Sequence, residues 1–169
     1  MKFIFKISTI IIFLITCSCN VKYSLTGASI SAETKTFQVN YFQNNSTLIE
    51  PGIDRDFTNK LIDLLINQTS LDLVKSNGDL LYEGEIVDYR IAPTTATANN
   101  TAAQNRLTVA VNVRFYDKSD PDAEFEKRFS FYYDYPGSSQ LIGSQKDTAI
   151  DEIFERITQD VFNASLAKW

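Results

Sequence analysis

The sequence contains no histidine, and this absence excludes much of enzyme chemistry. A Ser-His-Asp triad, a His-ligated zinc ion and the commonest general base all need an imidazole. The two cysteines, Cys17 and Cys19, lie close together near the N-terminus, so the rest of the chain has no thiol nucleophile and no internal disulfide. The few glycines form neither a phosphate-binding loop nor a nucleophile elbow. We therefore expect no enzyme, no metal and no cofactor.

The chain also lacks an excess of positive charge and a long apolar run. It has 16 Lys and Arg against 21 Asp and Glu, a net charge of −5. Nucleic acid binding requires clustered positive charge to neutralise phosphates, so we expect no nucleic acid partner. The apolar run Ile7–Ile15 is far shorter than the roughly 20 residues that a transmembrane helix needs.

This short run is instead typical of a secretory signal. Lys2 and Lys6 provide the positive start, the apolar run follows, and small residues precede a cysteine. The pattern resembles a bacterial lipoprotein processing site. It divides the chain into a signal peptide (1–18), a lipidated tether (19–35) and a single domain (36–169).

Either cysteine could carry the lipid. Cys19 is favoured because Ser18 directly precedes it, whereas Cys17 has the better aliphatic residue, Leu14, three places earlier but Thr16 next to it. The alternative is ordinary cleavage that leaves an exported protein without lipid. A lipidated cysteine that carries several acyl chains would anchor the chain durably to a membrane.

Periodicity predicts four strands and two helices. Apolar residues alternate in the four predicted strands, which are Thr36–Phe42, Leu80–Ile91, Leu107–Tyr116 and Glu124–Asp134. The apolar side of Leu80–Ile91 switches part way along, which predicts a bulge or a strand that extends beyond its helix cover. Helical spacing predicts one helix from Asp54, a candidate cap, to about Gln68, and another from about Asp147, with Ser144 and Asp147 as candidate caps.

The predicted fold class is α+β. We expect a two-layer α/β sandwich, with a four-stranded mixed sheet and two helices on one face, in the order β-α-β-β-β-α. The segment Ala92–Asn105, nearly all Ala, Thr and Asn, is expected to be a long loop, with either a contact role or simple mobility. The turn Asp117–Asp122 is short enough for a hairpin.

The sheet side away from the helices is expected to be polar and studded with aromatic residues. Arg114 and Arg128 lie there, and the planar guanidinium suits phosphate as well as carboxylate. This side is either a binding surface or the solvated face of the sheet. Glu83 and Glu85 also share one strand side, about 6.7 Å apart at roughly 3.3 Å per residue, which overlaps the spacing of a glycosidase pair but more often marks a solvated face.

Several segments together resemble the LptE family of lipopolysaccharide-assembly lipoproteins. They are Cys19, Tyr23–Ile30, Thr36–Phe42, Glu83–Ile86 with Tyr89, and Asn105–Val113. The resemblance extends over nearly all of the mature chain and supports Cys19 over Cys17 as the lipidated residue.

The resemblance implies an outer-membrane lipoprotein, lipidated with palmitate among its acyl chains and facing the periplasm. Its expected partners are an LptD-like β-barrel, which it would plug and help to assemble, and lipopolysaccharide, which it would help to insert into the outer leaflet. The family's basic residues do not transfer by motif. The candidates for lipopolysaccharide phosphates are Lys118, Lys127, Arg128 and Arg114, with a solvated charge cluster as the alternative. The rival function is a periplasm-facing lipoprotein that binds a soluble ligand or acts as a scaffold without a barrel.

Overall fold

A computed structural model describes residues 30–96 and 102–167 of the chain. The expected signal peptide, both candidate lipidation sites Cys17 and Cys19, and most of the expected tether lie outside the described residues. Among the described residues, no helix combines the length and the apolar character needed to cross a bilayer.

The described residues form six strands, two helices and one short 3₁₀ turn. In chain order these elements are β1 (Thr36–Val39), β2 (Gln43–Asn44), α1 (Ile53–Gln68), β3 (Asp72–Leu73), β4 (Leu80–Ala96), β5 (Ala102–Asp117), the 3₁₀ turn (Pro121–Ala123), β6 (Phe125–Pro136) and α2 (Gly143–Leu166).

The strands form one mixed sheet in the order β3-β1-β4-β5-β6, and β2 also pairs with β4. β1 runs parallel to both of its neighbours, whereas β4, β5 and β6 form an antiparallel meander. The α+β class, the sandwich and the mixed sheet are as predicted, but the strand count is higher. Because β2 and β3 have two residues each, they carry no period-2 pattern that sequence analysis could detect.

Both helices bury an apolar stripe against the same side of the sheet. α1 buries Phe57, Leu61 and Leu65, and α2 buries Ile153, Phe154 and Ile157 among others. The ring centroid of Phe57 lies 5.0 Å from that of Phe42 and 5.1 Å from that of Phe154, both in edge-to-face geometry. These aromatic contacts join the connection between β1 and β2 to both helices in one core.

The predicted switch of apolar side in β4 is a β-bulge. The pairing of β4 with β5 shifts register between Ile86 and Asp88. The extra residue turns Tyr89 toward the helices, where it is buried, while Ile91 on the same side is 43% exposed. Both expected features are therefore present, a bulge and a strand that extends beyond the helix cover.

The predicted loop Ala92–Asn105 is wrong for most of its length. β4 continues to Ala96 and β5 begins at Ala102, so the segment is largely the end of a long hairpin; residues 97–101 lie outside the described residues. Apolar alternation is absent here, but each strand continues to pair with its neighbour through register shifts at Pro93/Thr95 and Thr95/Ala96. Backbone pairing needs no apolar side chains once the strands are aligned.

The predicted helix caps are also wrong. The N-cap of α1 is Gly52 rather than Asp54. The N-cap of α2 is Ile142, and both candidates, Ser144 and Asp147, lie inside the helix that begins at Gly143. Neither helix has a side-chain hydrogen bond at its cap. The predicted first strand ends at Val39, and Gln43 resumes pairing, because the intervening chain turns Phe42 into the core.

Candidate interaction surface

The sheet side that the helices leave uncovered, here called the open face, is the candidate functional surface. Side chains alternate along β4, β5 and β6, so residues that flank the core positions point to this side. Cross-strand pairs on it include Glu83 with Arg114 and Arg106 with Asp134. The charged side chains that β4, β5 and β6 place on it carry both signs and are Glu83, Glu85, Asp88, Arg90, Arg106, Arg114, Glu126, Arg128 and Asp134.

Arg114 is bound by two carboxylates of the neighbouring strand. Its Nε donates to Glu83 Oε1 at 3.2 Å, and its Nη1 donates to Glu85 Oε2 at 3.2 Å. Asn40 donates to the second oxygen of Glu83 at 3.0 Å, and Asn112 donates to Glu85 at 3.4 Å. The hydrogen bond to Glu83 is the main cause that raises the pKa of Arg114. Both carboxylates therefore accept hydrogen bonds from side chains of the same sheet. This arrangement is typical of ion pairs on a solvated strand face, and it differs from a glycosidase pair, whose carboxylates flank the bond of a substrate.

A second ion pair lies at the far end of the open face. Arg106 donates from Nε and Nη2 to the two oxygens of Asp134 at 2.7 and 2.8 Å, and its guanidinium carbon lies 3.6 Å from the ring centre of Tyr132. The hydrogen bond from Arg106 holds the pKa of Asp134 below its ordinary value. This bidentate and stacked geometry fixes a side chain that would otherwise move freely.

Between these two sites, Asp88 lies near two arginines. Arg128 Nη2 is 3.4 Å and Arg90 Nη1 is 3.8 Å from Asp88 Oδ2. Each arginine of the open face thus has a carboxylate partner on the same face. The surface is polar and largely neutral overall, although it is rich in charge.

The four residues predicted for phosphate binding do not form one site. Arg114 and Arg128 share the open face, on neighbouring strands, whereas Lys127 lies on the helix side, with Nζ 5.1 Å from the ring centre of Phe129. Lys118 lies just beyond the end of β5 and donates to the backbone oxygen of Asn77 at 2.9 Å. Sequence proximity placed three of them near one hairpin, but strand alternation separates Lys127 from Arg128.

Sequence analysis missed three exposed aliphatic side chains on two segments near one end of the sheet. Leu48, Ile49 and Ile142 are 53%, 77% and 65% exposed. Glu50 and Lys146 join the loop before α1 to the start of α2 through a 2.7 Å ion pair. We call this end, with Leu48, Ile49 and Ile142, the apolar end. The only sign of this feature in the sequence is the apolar pair Leu48 and Ile49 in an otherwise polar turn. Two adjacent residues are too few to show a helix or strand periodicity.

The opposite end of the sheet holds the first described residues. Ile30 and Ser31 line a cleft there with Asp117, Ser119 and Leu166. We call it the anchor end, because Ile30 follows the candidate lipidation site by a short stretch of sequence. Among the described residues, no cluster of three or more potential metal ligands occurs at either end or elsewhere.

Comparison with known proteins gives a family and a fold. The model of the LptE lipopolysaccharide-assembly family matches residues 34–165. No curated protein matches the sequence.

Three solved structures show the same fold. The hypothetical protein CT253 from Chlamydia trachomatis has a TM-score of 0.55 at 12% identity, with 80% of this chain and 99% of that chain covered. An uncharacterized lipoprotein B from Nitrosomonas europaea has a TM-score of 0.52 at 10% identity, covering 85% and 87%. Rare lipoprotein B from Shewanella oneidensis has a TM-score of 0.51 at 9% identity, covering 75% and 89%.

Proposed function

This chain belongs to the LptE family of lipopolysaccharide-assembly proteins, and from that premise we propose that it is an outer-membrane lipoprotein, acylated at Cys19, that plugs an LptD-like β-barrel. In this role it assists assembly of the barrel and the insertion of lipopolysaccharide into the outer leaflet. It makes and breaks no bond. The family match over residues 34–165 is the observation that carries the proposal.

The open face supports a plug. The interior of a transmembrane β-barrel is polar, so a guest must present a hydrophilic surface without leaving charges unpaired. The arginines of the open face already have carboxylate partners, as Arg114 has in Glu83 and Glu85. The open face therefore brings little net charge into the lumen, and its arginines keep their partners when the face leaves water.

The two ends of the sheet support one orientation. The anchor end, at Ile30, would face the membrane surface that holds the lipid, and the apolar end would enter the barrel first. When a partner covers an exposed aliphatic side chain such as Ile49, the free energy falls by roughly 25 cal/mol per Å² of apolar surface buried. The hairpin of β4 and β5 ends on the same side as the apolar end, so it would enter with it.

The phosphate-binding role of Lys118, Lys127, Arg128 and Arg114 stays a proposal. Arg128 is the best placed of the open-face pair, because its side chain is 56% exposed and its contact with Asp88 is long, whereas Arg114 is held by two carboxylates. Replacement of Arg128 by Gln is expected to weaken lipopolysaccharide binding more than the matched change Arg90→Gln, whose side chain is 62% exposed and shares Asp88. Equal loss in both variants would argue against a specific role for Arg128.

Site-specific photocrosslinking in the native membrane tests the proposal. A crosslinker at Ile49, at the apolar end, is expected to give an adduct with an LptD-like barrel, and the tagged chain should copurify with that barrel in equal amounts. A crosslinker at the exposed Asp122, at the anchor end, is the matched control and should give much less adduct. Purification without any barrel, or an adduct from Asp122 alone, would contradict the proposal; the first result would favour the soluble-ligand or scaffold alternative.

A further inference from the structure

β6 is an edge strand whose outer backbone groups can be identified from two hydrogen bonds elsewhere in the sheet. Lys118 N donates to Asp79 O at 3.0 Å, and Asn40 N donates to Tyr82 O at 2.8 Å. Up to the bulge, the backbone groups of odd-numbered residues of β4 therefore bond to those of even-numbered residues of β5. Because successive residues of a strand direct their backbone groups to opposite sides, the odd-numbered residues of β5 bond to β6. Since Val109 is opposite Phe131, the even-numbered residues of β6 direct their N–H and C=O groups outward.

This outer edge lacks the usual protection against strand pairing. Natural edge strands are commonly short, bulged, charged or interrupted by proline. β6 has 12 residues, and its register with β5 is unbroken from Phe125 to Pro136. Its charges are confined to the ends, and the middle of the strand, Phe129–Tyr133, is uncharged and mostly aromatic. Among the described residues, β6 pairs with β5 alone.

We propose that two copies of this chain form a symmetric dimer in which β6 pairs antiparallel with β6 of the second copy, centred on Phe131. This register places Arg128 opposite Asp134 of the second copy, and Phe129 opposite Tyr133, and the two-fold axis repeats each pair. Opposite charges and aromatic pairs across strands stabilise a sheet. A closed two-fold interface of this kind requires a self-complementary surface, which this register provides.

The helix next to β6 is self-complementary about the same axis. A cavity of about 350 Å³ lies beside Phe131, lined by Glu152, Glu155, Arg156 and Gln159 of α2. Antiparallel pairing of β6 brings α2 beside α2 of the second copy, with Glu155 facing Arg156 and Glu152 facing Gln159. Odd-numbered side chains of the added strand, which lie on the helix side, would fill the cavity. The proposed dimer is formed by chains that are not bound to a barrel. It does not rest on the proposed function, because dimerisation and the formation of a 1:1 complex with a barrel are separate equilibria.

Proline at position 130 tests the pairing in solution. The N–H of Ser130 points outward, so Ser130→Pro removes an edge donor while the backbone bonds between β6 and β5 are kept; the hydroxyl bond from Ser130 to the Val109 oxygen, 3.1 Å, is lost. Ser130→Ala is the matched control, since it removes the same hydroxyl and keeps the N–H. Both variants and the parent chain, each purified from the membrane in its native form, are examined by sedimentation in one nonionic detergent, so that any membrane anchor affects all three equally.

We expect the parent and Ser130→Ala to be dimers. For Ser130→Pro we expect the dissociation constant of the dimer to rise about tenfold or more, because each copy loses a hydrogen bond and gains a proline ring at the contact. A monomeric parent would overturn the proposal. A dimer that Ser130→Pro leaves unchanged would overturn it equally, because the contact would then lie elsewhere.

Disulfide formation tests the register. In this pairing Phe131 faces itself across the axis in a non-hydrogen-bonded pair, with Cα atoms about 4.5 Å apart, within disulfide range. The two copies of Lys127 would instead be roughly 26 Å apart at about 3.3 Å per residue. Phe131→Cys should therefore give an oxidised dimer, whereas Lys127→Cys should give no more crosslinked dimer than the parent gives under the same conditions. Equal crosslinking of both variants, or none at Phe131→Cys, would contradict this register.

Discussion

Gly84→Ala is expected to destabilise the fold strongly. Gly84 lies in β4 on the helix side, between Tyr82 and Ile86, where every neighbouring position carries a large buried side chain. A Cβ atom at Gly84 would lie 2.0 Å from the backbone oxygen of Asn112 and 2.7 Å from Cε1 of Phe42. Favourable contacts between nonbonded heavy atoms begin near 3.5 Å, so both contacts are strongly repulsive.

The structure sets the size of the effect. The oxygen of Asn112 belongs to the backbone of β5, so it can move only if β4 and β5 separate. The ring of Phe42 is completely buried and packs against Phe57 at 5.0 Å, so its displacement disturbs α1 as well. Overpacking alone costs about 1–3 kcal/mol, and with two rigid neighbours we expect about 3 kcal/mol or more. That is a large part of the roughly 5–15 kcal/mol that stabilises a typical domain.

Urea unfolding followed by circular dichroism measures this cost. Gly143→Ala is the matched control, because Gly143 has a φ of +53° but no atom within 4 Å of an added Cβ. The control should cost about 1 kcal/mol, from backbone conformation alone. If Gly84→Ala costs no more than Gly143→Ala, the close approach of β5 and Phe42 does not constrain this position and the packing argument is refuted.

Three further substitutions test the core and the open face. Tyr82→Phe removes a buried 2.9 Å hydrogen bond with Ser165, whose hydroxyl still donates to a backbone oxygen; we expect a loss of about 1 kcal/mol in urea unfolding, and an unchanged midpoint would mean that the bond contributes nothing. Phe154→Ala should cost about 3–5 kcal/mol by the same assay, and a loss below that of Tyr82→Phe would contradict its central place in the core. Because Arg106 lowers the pKa of Asp134, their interaction stabilises the fold fully above the ordinary value of 3.8 and is lost as the pH falls through the lower folded value. Asp134→Asn should therefore show a flatter loss of stability below pH 3.8 than the parent, and identical acid unfolding curves would argue against this account.

The order of the long helices and strands was predictable because the apolar residues of each element recur with a clear helix or strand periodicity. Along β5, the residues Leu107, Val109 and Val111 alternate with Thr108, Ala110 and Asn112, and the three apolar residues of this series are buried as expected. The stripe of α2, including Ile153 and Ile157, was equally clear and is equally buried. Amphipathic order of this kind gives both the element and the face that it buries.

The parts of the fold that sequence analysis missed have no local period. Pairing of Thr36 with Asp72 forms β3, and this contact depends on how α1 returns the chain to β1. The segment after Ile91 continues as strand because β5 lies beside it, although its own composition is typical of a loop. Helix caps were misplaced because neither Gly52 nor Ile142 makes the side-chain hydrogen bond by which a cap is recognised in a sequence.

The candidate surface divides in the same way. The sequence indicates that Arg114 lies with Glu83 and Glu85 on one polar face, because strand alternation fixes the side of each residue. The same alternation places Lys127 on the helix side, away from Arg128. Tertiary structure alone decides that Arg114 is bound to both carboxylates, and that Leu48 and Ile142 stay exposed on the two segments that the Glu50–Lys146 ion pair joins. The physical reason is range: periodicity acts over a few residues, whereas ion pairs across strands and exposed patches depend on chain segments brought together only when the sheet and helices pack.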